Sequence, residues 1–556
     1  MNNQALVWLL MVIVSGQYLV PAAKKDKFIV TDDLIVYPQD EDSGEDFKQK
    51  GVGFPSAIES YGVLTDDPEK PFVISVGTSM SQTHQTNNTV NPNYTRSRLQ
   101  MLAQKMPVDK AEKMLKNPEK VFYALDSLPN YVCENWHTTK PAELKLDADS
   151  AKINKILTNV AHNRSGNQLS ITACPECGGS VTEQAKEVKE FTHAYKRAMV
   201  QQVKELGVLN QQGCKNGLPS VRLSLEATDV MVPRSKKNLD SNKNLDSNKL
   251  RKQAYFINDF GNPLLFFHHY ANPAAIPNLF EETEHIDWFA NYCIAILKLC
   301  PGVTHVCPIS QPLGFAFRVA RGTLPPFSCG IDQKQYLKNI VDAQVAVAIK
   351  VKELNEEERR DIKVLVSHQW KSMKPKHTSM VDPRRTFELG ICKIAHSMYN
   401  GKFVSLMKPH MQYFDGIALS IYPGLYFNLW APEGDNCAGK IDFEAALEAL
   451  VETSKAFEGK DIYVVETGCN TDDPDTKRQF IDMTLYACQV AREKGISVKA
   501  VYFWGITNDK DFYSEWNAAP GTTHFAPYDR LDLVDPADSI NASGTYIQDI
   551  IKSRNV

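Results

Sequence analysis

Eight apolar runs of strand length recur after residue 70, and helical patterns separate most of them. The runs are Pro71–Thr78, Val221–Leu225, Pro263–Tyr270, Val303–Gln311, Ile362–Trp370, Phe414–Pro423, Asp461–Gly468 and Val498–Gly505. The clearest amphipathic helical stretches are Thr182–Leu209, Ile286–Cys300, Tyr336–Leu354, Phe443–Phe457 and Lys477–Lys494. Near-continuously apolar strands that alternate with helices predict an α/β fold, a (β/α)8 TIM barrel. A doubly wound sheet is the alternative, but eight units in one continuous region favour closure.

The N-terminal region has the features of an export signal. Its first 23 residues carry no charged side chain and contain the apolar run Ala5–Val14, with small residues at Val20–Ala22. This pattern is typical of a secretory signal peptide, with an uncleaved membrane anchor as the alternative. We therefore expect a secreted protein, extracellular or periplasmic. The predicted order is a signal peptide at 1–23, a polar extension at 24–70 and a barrel domain at 71–556.

An insertion is predicted between the first two strands, because far more residues separate them than one helix requires. Most of residues 87–180 would form it, and it holds Cys133 and the pair Cys174 and Cys177. The chain has 12 cysteines, and an even count in an exported protein permits disulfides, so we expect at least one. The Cys-Pro-Glu-Cys pair resembles half of a zinc ribbon. No second pair follows, which favours disulfides or buried thiols over a metal site.

The residues at the predicted strand ends suit a sugar ligand. Reactive groups of such barrels lie at the carboxyl ends of the strands. Those ends carry Arg222, His268, His269, Ser310, Gln311, Trp370, Tyr422, Glu466 and Trp504. Aromatic rings can stack on the C–H faces of a sugar while polar groups bind its hydroxyls. A net charge of -4 without a basic stripe argues against nucleic acid. The predicted partner is a carbohydrate or glycoside, with no cofactor, no metal and no membrane after signal cleavage.

Three of these strand ends resemble motifs of family 1 glycoside hydrolases, the retaining β-glucosidase group. V-R-L-S-L-E at Val221–Glu226 resembles Y-R-F-S-I-S, and F-F-H-H-Y-A-N-P at Phe266–Pro273 resembles T-L-Y-H-W-D-L-P. V-V-E-T-G at Val464–Gly468 resembles I-T-E-N-G. The resemblance implies a site arginine at Arg222, a sugar-binding histidine at His269 and a nucleophile at Glu466.

Looser matches extend the resemblance over roughly Pro71 to the C-terminus. T-H-Q at Thr83–Gln85 resembles the first-strand glutamine motif, and S-I-Y ends at the position of the strand-six tyrosine. F-W-G-I-T-N-D followed by S-E-W resembles W-S-L-L-D-N-F-E-W with residues inserted. The sugar contacts implied by these matches are Gln85, Tyr422, Trp504, Glu515 and Trp516.

The fourth strand end departs from the family. Where the family has Asn-Glu before a proline, this chain has Ser310-Gln311, which changes a 2-hydroxyl ligand and the acid/base. The first-strand Gln-x-Glu also lacks its Glu. An amide cannot donate a catalytic proton, and losing the acid forfeits about 10²–10⁴-fold in rate. Plant thioglucosidases of this family carry Gln at the same position. The resemblance thus implies a retaining β-glycosidase that acts on thio-, aryl- or acyl-glycosides.

Two other hypotheses remain open. The barrel could retain the pocket, or only its surface, as a carbohydrate-binding receptor without catalysis. It could also be a hydrolase that recruits another acid, for which Glu226 and Asp415 are the nearest candidates by strand position.

Overall fold

The computed structural model describes residues 54, 56–60, 64, 69–79, 199–225, 245, 247–269, 279–320, 333–377, 379, 381–422, 425–427, 432–433, 441–469, 473–506 and 540–554. Within this part of the chain, eight parallel strands form a closed barrel in sequential order. They are β1 (Val73–Ser79), β2 (Arg222–Ser224), β3 (Leu264–Phe266), β4 (His305–Cys307), β5 (Lys363–Trp370), β6 (Gly416–Ile421), β7 (Asp461–Thr467) and β8 (Val498–Trp504). Each overlaps its predicted run, so the predicted TIM barrel is confirmed.

Helices surround the barrel, and four of them coincide with amphipathic stretches predicted from the sequence. Those of eight or more residues with described bounds are α1 (Ser247–Asn258), α2 (Glu284–Leu299), α3 (Pro312–Ala320), α4 (Gln333–Glu358), α5 (Pro383–His396), α6 (Phe443–Ala456), α7 (Pro474–Glu493) and α8 (Ala542–Arg554). The end of the first predicted helix is also present, since residues 199–205 are helical. Aspartate N-caps define three starts: Asp382 accepts from Arg384 N at 2.9 Å, Asp442 from Ala445 N at 3.0 Å and Asp473 from Thr476 N at 3.0 Å.

Shorter elements complete the described chain. They are the short α-helices Ala57–Ser60, Gln212–Lys215 and Lys402–Met407, the 3-10 helices Val208–Asn210 and Lys408–Tyr413, and the π-helix Ser397–Gly401. A small separate sheet consists of Met373–Pro375, Leu425–Phe427 and Pro432–Glu433. No helix among those described is both long and apolar enough to cross a bilayer.

Two cores lie on the two faces of the barrel wall. Along β5, Leu365 packs inside the barrel, whereas Val364 and Val366 pack outside against the helices. The interior is filled by side chains such as Phe266 and Tyr463. A filled interior leaves the carboxyl ends of the strands as the place where a ligand can reach several strands at once.

Several predictions concern residues outside the described part of the chain. These are the signal peptide, most of the polar extension, the insertion at 87–180 with its three cysteines, and the residues Gln85, Glu226, Glu515 and Trp516. Within the described part, Cys293, Cys300, Cys307, Cys392 and Cys488 are free thiols. The prediction of a disulfide therefore does not apply to these five cysteines.

Candidate active site

Glu466 occupies the carboxyl end of β7, and its carboxylate faces the barrel mouth. Strict alternation would turn it outwards, because Val465 already packs in the barrel interior. A shift in the pairing of β7 with β6 between Val464 and Glu466 breaks that alternation. Irregularities of this kind re-aim a side chain, and here the carboxylate turns inwards. Glu466 is only 7% exposed.

Two donors from the ends of β6 and β4 bind one oxygen of this carboxylate. The hydroxyl of Tyr422 donates to Glu466 Oε1 at 2.7 Å. Nε2 of Gln311 donates to the same oxygen at 3.0 Å. Because an ionised carboxylate only accepts hydrogen bonds, the amide must present its N–H to it. The glutamine at the predicted acid/base position therefore lies directly against the predicted nucleophile.

The backbone at Gln311 is held in an unusual conformation that aims its side chain at Glu466. Its φ is 44°, in the left-handed region that non-glycine residues rarely adopt. The hydroxyl of Ser367 accepts from Gln311 N at 3.1 Å, and Gln311 O accepts from Phe315 N at 2.9 Å at the start of α3. The second N–H of the amide donates to Ser420 Oγ at 3.2 Å. Both donors of Gln311 are thus used by the protein, which leaves its carbonyl oxygen as the group that can meet a ligand.

Arg222 supplies the positive charge beneath the carboxylate. Its side chain is fully buried, and Nη2 lies 3.5 Å from Glu466 Oε2. The guanidinium lies between the rings of Phe266 and Trp504, with Cζ 4.4 and 4.2 Å from their centroids. Burial lowers the pKa of Arg222, while the adjacent carboxylate of Glu466 opposes that shift. Each charge of the pair thus compensates the other, whereas either group buried alone would be an uncompensated charge.

The same guanidinium nitrogen organises two more predicted residues. Nη2 of Arg222 donates to Ser310 Oγ at 3.2 Å and to His269 Nδ1 at 3.3 Å. The hydroxyl of Ser224 also lies 3.2 Å from that Nδ1. Because an arginine N–H can only donate, Nδ1 of His269 is an acceptor and the ring proton is on Nε2. The imidazole is therefore fixed as one neutral tautomer.

Trp504 stacks on this histidine, and a glycine makes room for both it and the arginine. The rings of His269 and Trp504 are nearly parallel, at 6°, with centroids 5.6 Å apart. A Cβ built at Gly77 on β1 would lie 3.1 Å from Arg222 Cδ and from Trp504 Cε3. The absence of a side chain at this position lets the guanidinium and the indole approach closely.

Seven predicted residues thus meet at one end of the barrel: Arg222, His269, Ser310, Gln311, Tyr422, Glu466 and Trp504. Two other strand-end residues do not. His268 packs among aromatic side chains, with its ring 4.9 Å from that of Phe315, and Trp370 packs outside the wall against His396. Both lie on the outward-facing side of their strands.

The prediction of Asp415 as a substitute acid is wrong. Asp415 precedes β6 and therefore lies at the amino end of the barrel, opposite the cluster around Glu466. Its Oδ2 accepts from Val364 N at 2.8 Å, so the carboxylate caps the start of β5. Three serines that position the site were missed: Ser224, Ser367 and Ser420. Alternation along the predicted strands places Ser367 on the same face as Leu365, and that signal could have identified it.

Comparisons with known proteins identify the fold. No protein-family model and no curated protein sequence matches the chain. Among solved structures, a β-glucosidase mutant derived from a hyperthermophilic tetrameric structure matches 66% of this chain and 84% of its own. The identity is 13% and the TM-score 0.51. At that identity the likeness shows the fold alone: the chain is a TIM barrel like that of the β-glucosidase.

Two further structures give weaker matches. The β-glycosidase from Pyrococcus horikoshii is 16% identical, with 60% of this chain and 80% of that chain covered and a TM-score of 0.48. The β-glycosidase from Thermosphaera aggregans is 13% identical, with 60% and 82% covered and a TM-score of 0.45.

A metal-binding geometry occurs only once among the described residues, and not in this cluster. It consists of Glu282, Glu284 and His285 around the start of α2, of which the two glutamates are exposed. The cluster around Glu466 instead combines one carboxylate, one guanidinium, a phenol and an amide. This set can stabilise a carboxylate that attacks an electrophilic carbon, but none of its groups replaces a carboxylic acid as a proton donor at position 311.

Proposed function

We propose that the protein is a retaining β-glycosidase that uses Glu466 as its nucleophile. The observation that carries the proposal is the arrangement around that carboxylate. Tyr422 binds one oxygen, Arg222 faces the other, and a side chain from the end of β4 lies across from it. Retaining glycosidases likewise place an acid/base side chain across from the nucleophile, with the two carboxyl groups about 5–5.5 Å apart, whereas Gln311 and Glu466 are in direct contact at 3.0 Å. The β-glucosidase-like fold supports the same conclusion.

The substrates are glycosides whose leaving group departs without a proton. In the first step Glu466 attacks the anomeric carbon, and the bond to the leaving group breaks with the electron pair on that group. Gln311 cannot protonate it, so a thiolate, carboxylate or aryloxide leaves more readily than an alkoxide. In the second step water attacks the glycosyl ester, and its proton goes to a base from solution. A substrate must first displace the 3.0 Å contact between Gln311 and Glu466, because no atom fits between them.

Covalent trapping tests the nucleophile. A 2-deoxy-2-fluoro-β-glycoside with a dinitrophenolate leaving group should add one fluoroglycosyl group to the protein, because fluorine slows hydrolysis of the ester more than its formation. Intact mass and peptide mapping should place the adduct on Glu466, and Glu466→Gln should give none. Glu448→Gln is the matched control, since Glu448 is a largely buried carboxylate that instead accepts from Ser372 Oγ at 2.5 Å. A folded wild-type protein that forms no adduct with glucosyl, galactosyl or mannosyl reagents would contradict the proposal.

The second candidate is a carbohydrate receptor without catalysis. The direct Gln311–Glu466 hydrogen bond favours it, because the amide pairs with one oxygen of the carboxylate and occupies the space that an anomeric carbon needs. Binding of glycans without any adduct in the trapping experiment would support this candidate.

A further inference from the structure

Glu282, Glu284 and His285 form the α2 cluster, a group of possible metal ligands at the start of α2 that the proposed mechanism does not use. Each offers one ligand atom, a carboxylate oxygen or a ring nitrogen, and the three atoms lie within 4.8 Å of one another. Two ligands of one Zn²⁺ ion can be no more than about 4.2 Å apart, which is twice the metal–ligand distance. Both glutamates are exposed, so small rotations of their side chains can bring the three atoms to one ion.

The histidine distinguishes the α2 cluster from an ordinary group of surface acids. His285 is only 8% exposed, and its Nε2 faces Glu284, with 3.7 Å to Oε1. That distance is too long for a hydrogen bond. Its Nδ1 is enclosed and has no hydrogen-bond partner in the described structure. Because buried polar groups are normally paired, an imidazole held against carboxylates without a hydrogen bond is a candidate metal ligand.

The ligand set favours Zn²⁺ or a similar divalent transition-metal ion. Zn²⁺ is bound in proteins by imidazole nitrogens and carboxylate oxygens, whereas Ca²⁺ and Mg²⁺ take oxygen ligands. Two carboxylates and a neutral imidazole also balance the double positive charge of the ion. Three protein ligands leave one coordination position of a tetrahedral site for water.

The α2 cluster lies where the chain enters α2 after β3. In a TIM barrel the chain leaves each strand at its carboxyl end, so this helix start is on the same side of the barrel as the candidate active site. Just before it, the carbonyls of Phe280 and Glu281 accept from Asn339 Nδ2 on α4 at 3.0 and 2.9 Å. The ring of Phe280 contacts that of His268, with centroids 5.1 Å apart. An ion that binds Glu282 in this segment therefore connects it to the first turn of the helix.

We propose that Glu282, Glu284 and His285 bind a divalent transition-metal ion, Zn²⁺ by preference, which connects the segment before α2 to the first turn of this helix. The sequence-based expectation of no metal rested on the cysteine pair, and the α2 cluster contains no cysteine. The inference does not depend on the proposed glycosidase function, because metal binding and stability can be measured without any substrate.

Calorimetric titration of the full chain with ZnCl₂, after removal of bound metal with a chelator, tests the site. Substituting residues that only support metal ligands typically weakens binding by roughly 10–100-fold, so losing a ligand should weaken it by about 100-fold. We expect Glu284→Gln and His285→Gln to lose one equivalent of bound Zn²⁺ in this way. Any Zn²⁺ bound by the cysteine pair would remain in both variants. Zn²⁺ should also raise the thermal midpoint of wild type more than that of Glu284→Gln, because an ion that binds the folded state stabilises it.

Asp287→Asn is the matched control. Asp287 is also an exposed carboxylate in the first turn of α2, but it lies 3.9 Å from Lys350 Nζ and is not part of the α2 cluster. This variant removes the same charge as Glu284→Gln and should change the Zn²⁺ affinity by less than about threefold. If His285→Gln does not fold, Glu284→Gln decides the outcome, because Glu284 is exposed. Equal Zn²⁺ binding by wild type and Glu284→Gln, or equal weakening by Glu284→Gln and Asp287→Asn, would overturn the inference. So would a wild-type protein that binds no Zn²⁺.

Discussion

At the scale of single residues, Gln311 determines which substrates the site can cleave. Replacing it by glutamate keeps the shape and introduces a carboxyl group 3.0 Å from Glu466, the distance now spanned by the amide. Two carboxyl groups at that distance cannot both be ionised, so one holds a proton at neutral pH. We expect Gln311→Glu to gain about 10²-fold or more on alkyl glycosides, the usual contribution of a general acid. Initial rates on nitrophenyl and alkyl glycosides measure this change.

The response to azide distinguishes the two forms of the residue. Azide attacks the glycosyl ester without deprotonation, so it should speed turnover by wild type and have little effect on Gln311→Glu. Gln311→Leu provides the control, because it removes the amide without adding an acid and should resemble wild type in substrate range. Equal rates of wild type and Gln311→Glu on alkyl glycosides, with both proteins active on nitrophenyl glycosides, would show that position 311 does not act on the leaving group.

The sequence predicted which residues meet but not how they face each other. The motifs indicated Arg222, His269 and Glu466 because polar residues end apolar runs. No pattern in the sequence reports the pairing irregularity in β7 that turns Glu466 inwards, or the left-handed backbone at Gln311. These features depend on neighbouring strands that are distant in the chain. Trp370 was assigned to the mouth for the same reason, since the phase of β5 relative to the barrel axis is set by its neighbours.

At the scale of elements, the barrel strands were the easiest to predict, because burial on both faces makes each an apolar run. The last helix, α8, shows what such patterns miss. Its residue Arg554 donates hydrogen bonds to three separate segments of the chain. Nε donates to Leu64 O at 2.5 Å, Nη1 to Gln211 Oε1 at 2.6 Å and Nη2 to Phe72 O at 2.7 Å. These hydrogen bonds connect α8 to the segments around β1 and before β2.

Removing this residue should destabilise the barrel. Arg554→Ala deletes three charge-assisted hydrogen bonds, at a cost of about 2–4 kcal/mol in the free energy of unfolding. Lys552→Ala on the same helix is the control, because the lysine side chain is largely exposed, and it should change stability by less than about 0.5 kcal/mol. Urea unfolding followed by circular dichroism compares them. Similar urea midpoints for the two variants would mean that the hydrogen bonds of Arg554 do not stabilise the barrel.

At the scale of the whole molecule, each of the two cores contains a buried neutral histidine. His305 lies inside the barrel, where Nε2 is 3.0 Å from Tyr463 OH and Nδ1 is 2.8 Å from Thr304 Oγ1. His368 lies outside the wall, and its ring stacks on that of Phe403 with the ring centroids 4.0 Å apart. Burial lowers the pKa of His305 to about 4 and that of His368 to about 3. Nearby Lys363 adds to the shift at His305.

These pKa values predict that stability is lost as the pH falls. In the unfolded chain both histidines bind protons near pH 6.5, whereas in the folded protein they stay neutral down to about pH 4 and 3. Their contribution to stability is therefore complete above pH 6.5, declines as the unfolded state takes up protons, and is gone below their folded pKa values. At pH 5 the loss amounts to roughly 2 kcal/mol for each histidine.

Urea unfolding at pH 7 and pH 5 measures this loss of unfolding free energy, in wild type and in the double variant His305→Gln/His368→Gln. We expect the variant to be less stable at pH 7 but to lose roughly 4 kcal/mol less between the two pH values. The same loss in both proteins would show that other groups cause the acid sensitivity.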